Sequence, residues 1–372
     1  MKILQISSDW KWTGPAEPML RLAQGLRERG HALALACPEP PPGRDGVAEH
    51  ARASGLAPAL VLEAARGFHP WRDRRDGRRL VRYLADQRFD VVHTWHSRDH
   101  ALALLARRGS GSRLVRTLPH SEPLPDRPWN RWLFGPGTDG LWCVSPGIAR
   151  RTAALRGGRP LAGGFGAVDL QRFRPAPPDP DVRKALGLGV EDRVVGIVAR
   201  MQPRRRFDLL LDAAERLFAR DPRARLLVVG RGTHREAVAE DPARRRGLGN
   251  RVVFAGYRSA DYLETLRAID VFTLLVPGSD GTCRAVLEAA ACAIPAVVTR
   301  RGALPEIVAD GETGFVVDEE PHALAAAWER LFPGPERCAL GEAAARRART
   351  LFAPARLAEG VEALYRAALE TA

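Results

Sequence analysis

The chain has 372 residues, 45% of them hydrophobic, and a formal net charge of +13. That length suits two domains of ordinary size, each able to bury its own core. The apolar runs, such as 101–106 and 289–298, fall well short of a membrane span, and the five cysteines include no CxxC pair, so neither a zinc site nor a disulfide framework is indicated. The odd cysteine count and the lack of a long apolar stretch after Met1 predict a cytoplasmic chain. Lysine occurs only at Lys2, Lys11 and Lys184, so the positive excess is arginine. An anionic substrate, an anionic membrane surface or nucleic acid could answer to it. No RNP signature, zinc-finger spacing or leucine zipper is present, so nucleic acid is not an expected partner.

Strand and helix alternate from the start. Lys2–Ile6 reads as a strand, and Met19, Leu22, Ala23 and Leu26 repeat at helical spacing up to a stop at Gly30. Strands follow at Ala32–Cys37, Val91–Thr94, Leu114–Leu118 and Leu141–Val144. The proline-dense run 174–181, RPAPPDPD, is expected to be neither helix nor central strand and to mark the domain boundary. Its Asp179 and Asp181 form a DxD string, read here as linker rather than metal site. Alternation then resumes with strands at Val194–Val198, Leu226–Val229, Val252–Phe254, Val271–Leu275, Ala296–Thr299 and Phe315–Val317. Leu357, Val361, Leu364 and Ala368 mark a final amphipathic helix. This order predicts an α/β fold with two Rossmann-like domains, their parallel sheets facing across a cleft. The expected division is an N-terminal domain at 1–170, a linker at 171–192, a second domain at 193–352 and a closing helix at 353–372. Ligands of such sheets bind outside the carboxyl ends of the strands.

Residues 276–317 carry the most chemistry. Asp280 and Glu288 flank the first turns of an expected helix, followed by strand 296–299 and a Gly- and Pro-punctuated loop. Eight helical residues would span about 12 Å, close to the sugar-to-ribose distance across a diphosphate. The helix start, with Gly281, Thr282, Cys283 and Arg284, offers unpaired N–H groups and a positive dipole end to phosphate. Asp280 would then hold sugar hydroxyls and Glu288 the ribose hydroxyls. The plainer alternative is a capping Asp280 and a solvated Glu288.

Arg200 and Arg205 follow strand 194–198 in ARMQPRRRFD, where rigid guanidinium forks suit a departing diphosphate. Gly230 and Gly232 follow strand 226–229, as a tight turn or a close approach to ligand. Phe254 to Arg258 could line a base pocket, with Tyr257 stacking or packing there. Gly14, between the first strand and its helix, could present N–H groups to phosphate. His93, His96 and His100 raise a metal site, but the crossing from strand to helix keeps them off one shared face. His120, at a strand end, suits a sugar hydroxyl. Two basic-aromatic stretches, 68–82 and 127–134, combine tryptophan and arginine as a headgroup interface would.

Together, TGPAE, LRERGHAL, FDVVHTWH, GAVDLQRFRP, ARMQPRRRFD, LLVVGRG, VVFAGY and the 276–317 segment resemble the GT-B glycosyltransferases of family 4, also called glycosyltransferase group 1. The resemblance runs over nearly the whole chain. It implies retaining transfer of a sugar from a nucleotide-diphosphate donor to an acceptor, without metal or other cofactor. Carried over by position, Arg200 and Arg205 are the diphosphate pair, Asp280 and Glu288 the two acids of the E-x7-E element, Gly14 the phosphate loop and His120 the histidine beside the donor sugar. Gly230, Tyr257 and 281–284 complete the donor site. The closing helix is implied to cross back onto the first domain. Four positions depart from the pattern: Asp280 replaces a usual Glu, Arg205 a usual Lys and Cys283 a frequent Gly beside Arg284, while Thr13 precedes Gly14 where a second glycine is common. The expected acceptor is a glycan or a lipid-linked sugar of the cell envelope, met by a cytoplasmic enzyme peripheral to the membrane. The rival readings are a sugar-nucleotide epimerase of the same architecture and a non-catalytic nucleotide-sugar or membrane-binding protein.

Overall fold

The computed structural model describes residues 1–372 except 13, 64–68, 120, 121, 123, 280 and 372. It divides into two compact units. The first comprises Met1–Ala167, Ser279–Thr282 and Pro354–Ala372; the second comprises Val168–Gly278 and Cys283–Ala353.

Seven strands build the first unit: β1 (Lys2–Ile6), β2 (Ala32–Pro38), β3 (Pro58–Leu62), β4 (Val91–Thr94), β5 (Arg113–Leu118), β6 (Gly140–Cys143) and β7 (Leu161–Gly163). They pair in parallel in the order β3-β2-β1-β4-β5-β6-β7. Strand β1 shows how the sequence covers both faces, because successive side chains point to opposite sides. Ile3 packs with Met19, Leu22 and Leu26 of helix Ala16–Glu28 and with Leu357, Val361 and Leu364 of helix Pro354–Glu370. Leu4 and Ile6 pack on the other face with Leu80 and Leu84 of helix Pro70–Gln87 and Leu102 and Ala103 of helix Ser97–Ala106. The closing helix lies tight on the first one: a Cβ on Gly25 would fall 2.9 Å from the Ala358 Cβ.

The second unit holds β8 (Arg193–Val198), β9 (Ala224–Val229), β10 (Val252–Gly256), β11 (Val271–Leu274), β12 (Ala296–Thr299) and β13 (Gly314–Val317). These are also parallel, in the order β10-β9-β8-β11-β12-β13. Both sheets are therefore doubly wound, as the alternation predicts.

Two strands escape the sequence reading, and both lie at sheet edges. Strand β3 opens on a proline, and β7 is only three half-buried residues long. A proline demotes an apolar run to an edge position, where its missing N–H costs no ladder bond, and three residues are too few to read as a strand. The proline-dense stretch is also corrected at its end. A short helix starts at Pro180, and Asp179 caps it, accepting from the N–H of Asp181 at 2.9 Å and of Val182 at 3.4 Å. Proline at the first helical position has no N–H to lose, so it starts a helix there as readily as it breaks one elsewhere. The DxD string is thus a helix start.

Candidate active site

Strand order reverses between β1 and β4 in the first sheet and between β8 and β11 in the second. At such a point the connections leave in opposite directions and open a crevice beyond the carboxyl ends of the strands. In the second unit, the segments that follow β10, β9, β8 and β11 are therefore neighbours. They carry, in that order, Tyr257, Gly230, Arg200 with Arg205, and the loop that passes through Val276.

Arg200 is exposed two residues past the end of β8, beyond Ala199. Arg205 ends a single 3-10 turn, Pro203–Arg205, and is buried; its Nη1 donates to the carbonyl of Val276. That bond ties Arg205 to the loop leading toward position 280. Arg206 next to it points elsewhere, held at φ 56° and paired with Glu319 at 2.6 Å. Of the basic run, only Arg205 turns inward against the loop.

Gly230 and Gly232 are required by close backbone approach. A Cβ on Gly230 would lie 2.1 Å from the Ala199 carbonyl oxygen, and one on Gly232 would lie 2.2 Å from that of Met201. The two loops join through Ala199 N–H to Val229 O at 3.0 Å and Met201 N–H to Arg231 O at 3.2 Å. The glycines therefore set the segment that bears Arg200. Tyr257 is exposed, with the Arg231 guanidinium 4.6 Å from its ring centre.

The segment after β11 differs from expectation. Its helix runs Arg284–Ala291, with Cys283 at the N-cap in a left-handed conformation, φ 52°. Gly281 is also left-handed, at φ 64°. Residues 281–283 thus form a tight turn, and the continuous eight-residue helix between the two acids is not formed. Gly281, Thr282 and Cys283 are buried while Arg284 is exposed; the Thr282 Oγ1 has no hydrogen-bond partner among the described residues.

Glu288 faces inward, 4% exposed, not outward as a solvated helix face would have it. The phenol of Tyr262 donates to its Oε2 at 2.5 Å, and Arg284 Nε lies 3.3 Å from its Oε1. Burial first, and then the neighbouring Glu288, raise the Tyr262 phenol well above its ordinary range, so the proton stays on the tyrosine. The ring of Phe173 meets Tyr262 edge-on, 6.1 Å between centres. Tyr262 does not stand out in the sequence, where an aromatic in a short helix reads as core packing, and Phe173 is visible only as part of the GAVDLQRFRP motif.

The first unit's candidates fare differently. Gly14 is left-handed at φ 61° with open space where a Cβ would point, so its constraint is conformational. The three histidines of HTWHSRDH have separate partners. His93 is buried, with its Nδ1 hydrogen-bonded to the Tyr365 hydroxyl at 2.6 Å and its Nε2 to Thr117 Oγ1 at 2.8 Å. His96 caps the 97–106 helix, and His100 sits between Thr94 and Thr138, 3.0 Å from each. Among the described residues no three His, Cys, Asp or Glu side chains gather as a metal site would need. His120 and Asp280 lie outside the described residues, as do Thr13 and Phe68.

Two doubly wound sheets, the second with cations in the loop after β8 and a buried acid on the helix after β11, define an α/β protein of the two-domain doubly wound class. The model for the glycosyl transferases of group 1 matches residues 192–333, and that for Glycosyltransferase Family 4 matches residues 14–161. The chain belongs to the GT-B glycosyltransferases of the group 1, family 4 type. It is 36% identical over 210 residues to a D-inositol 3-phosphate glycosyltransferase of Rhodococcus opacus, covering 54% of this chain and 46% of that protein. It is 37% identical over 183 residues to a GDP-mannose-dependent alpha-(1-6)-phosphatidylinositol monomannoside mannosyltransferase of Mycolicibacterium smegmatis, covering 46% and 47%. These matches span about half the length of the curated relatives. Among solved structures, Anabaena HepE in complex with UDP and glucose superposes with a TM-score of 0.79 at 20% identity, covering 98% of each chain, a likeness of fold.

Proposed function

We propose that the chain is a retaining, metal-independent glycosyltransferase of cell-envelope polysaccharide synthesis. It moves a sugar from a nucleotide-diphosphate donor to a glycan or lipid-linked acceptor, and with a lipid-linked acceptor it would work at the anionic inner face of the membrane. The observation that supports the reading is that the loop after β8, with Arg200 and with Arg205 bonded to Val276, and the helix after β11, with the buried Glu288 held by Tyr262, follow the two strands between which the order of the second sheet reverses. The named relatives, which act on inositol phosphate and phosphatidylinositol mannoside, support the substrate class.

In this reading the two guanidiniums and the N–H groups of the 281–284 turn take the diphosphate, and Glu288 takes the ribose hydroxyls. Gly14 meets the phosphates, and Tyr257 and Gly230 border the base. Asp280 holds the sugar and His120 its hydroxyl, roles that come from position in the family pattern. As the bond between sugar and diphosphate breaks, positive charge builds on the sugar ring and negative charge on the leaving phosphate. Fixed cations stabilise the latter without reorganising. The departing phosphate accepts the acceptor's proton, so no protein nucleophile is needed.

The test is a screen of UDP-, GDP- and ADP-sugars for thermal stabilisation, followed by product analysis on inositol-containing and lipid-linked acceptors. Sugar transfer with retained anomeric configuration, undiminished by chelator, is the expected result. Release of epimerised free sugar without an acceptor would replace the reading.

A further inference from the structure

Three neighbouring helices cover one face of the first sheet. Helices Pro70–Gln87 and Ser97–Ala106 share a core layer and are joined by the Arg98–Asp73 ion pair. Helix Pro128–Phe134 abuts the second of them through Phe134, whose ring stacks on His100 with centres 6.0 Å apart. Their outward stripes are unusual. Leu80, Leu84 and Asp76 are the buried residues of the 70–87 helix. At about 100° per residue, the opposite side carries Trp71, Arg74, Arg75, Arg78, Val81 and Arg82.

Trp71 is 81% exposed, Trp129 65% and Trp132 47%, and Leu105 on the middle helix is 65% exposed. The rings of Trp129 and Trp132 lie 5.2 Å apart. The large hydrophobic side chains exposed elsewhere among the described residues are Val61, Val190 and Tyr257. All three exposed tryptophans thus lie on these helices, while Trp95, Trp142 and Trp328 are buried. Some of the charge is neutralised locally: Arg75 and Arg79 lie 3.5 and 2.8 Å from Glu63, and Arg131 is 2.6 Å from Asp126. Arg74, Arg78 and Arg82 have no ion-pair partner among the described residues. Arg108 and Arg127 are exposed as well.

We propose that this face docks on an anionic lipid bilayer, the tryptophans entering the headgroup layer and the guanidiniums meeting lipid phosphates. Exposed indoles on a water-facing helix cost solvation unless a half-apolar medium takes them up, and the membrane interface is such a medium. Each arginine near an anionic surface adds attraction that salt screens. No described helix is long and apolar enough to cross the membrane, so contact of this kind would be peripheral. The inference rests on the lipid-linked acceptor reading for its purpose but stands on its own geometry.

The test is co-sedimentation of the full chain with vesicles of phosphatidylcholine alone and of phosphatidylcholine with phosphatidylglycerol, with no donor or acceptor present. The chain is expected to bind the anionic vesicles alone, to release in high salt and to shift its tryptophan emission to the blue on binding. Two double variants, Trp129→Ser with Trp132→Ser and Arg78→Glu with Arg82→Glu, alter only exposed positions. Each should weaken partitioning at least about tenfold with an unchanged thermal melt. Failure of the native chain to bind anionic vesicles overturns the proposal, as does native-like binding by both variants or stronger binding to single-stranded RNA than to vesicles. Transfer to a soluble acceptor without vesicle binding would sink the docking face alone. Vesicle binding without transfer would sink the activity alone.

Discussion

The two sheets are wound alike, yet the polar groups at their strand ends are treated in opposite ways. At the end of β4 in the first unit, His93 is fully enclosed and both ring nitrogens are bonded, to Tyr365 and Thr117. Trp95 donates to Gln5 beside it at 2.7 Å, and Gln5 reaches the Tyr365 hydroxyl at 3.4 Å. The network ties the closing helix to the sheet and leaves those groups nothing to offer a ligand. After β8, β10 and β11 in the second unit, Arg200 and Tyr257 stay exposed, while Arg205 and Glu288 are each held by a neighbour, Val276 and Tyr262. Held in place yet adjacent to exposed partners is the arrangement that electrostatic preorganisation calls for. A strand-end polar residue is therefore a site candidate only when its bonds orient it without exhausting it.

That contrast can be broken by measurement. The largest effect should come from Arg205→Ala, which is expected to lower kcat about a hundredfold or more with a near-native melting curve; turnover within a few-fold of native would remove Arg205 from the mechanism. Glu288→Ala is next. It should raise the donor KM by roughly ten- to a hundredfold, the range for a lost hydrogen bond to a charged group. Tyr262→Phe keeps the ring against Phe173 and deletes only the phenol, so a rise of about tenfold in donor KM is expected. Its cleaner readout is discrimination between UDP and 2′,3′-dideoxy-UDP, which should narrow if the phenol aims Glu288 at the ribose. An unchanged ratio would make Tyr262 a packing residue.

The smallest effect on turnover should come from His93→Gln, which is predicted to act on stability. Burial, and then Arg116 nearby, push the His93 pKa down to about 3. The unfolded state takes up a proton near pH 6.5 that the fold refuses. Stability is thus fully present above about pH 6.5 and is lost as pH falls from there toward 3. Thermal melts should show the native chain losing stability between pH 7 and pH 4, and His93→Gln losing less across that window. If His93→Gln stopped turnover at neutral pH while Arg205→Ala did not, the contrast between the units would be inverted.

Much of the fold was legible because the signal was local. Central strands such as β1, β4 and β12 are short apolar runs between turn residues, and their bounds agree with the sequence reading residue for residue. The edge strands β3 and β7 were not, because β3 opens on a proline and β7 is only three residues long. The site was legible in part. Arg205 could be singled out from its neighbours only by family pattern, since nothing local distinguishes it from Arg204 or Arg206. The inward turn of Glu288 depends on Tyr262, which is 26 residues away and brought near by the sheet. The unwound 281–283 turn depends on Gly281 and Cys283 at positive φ, and a cysteine gives no hint of that conformation.

The most direct measurement is calorimetric titration of the full chain with UDP, GDP and ADP, repeated on Arg205→Ala and Glu288→Ala. At least one nucleoside diphosphate should bind the native chain and should bind both variants at least about tenfold more weakly. Absence of binding by all three, or equal affinity in native and variant chains, would contradict the placement of a diphosphate and ribose at the β8–β11 switch point.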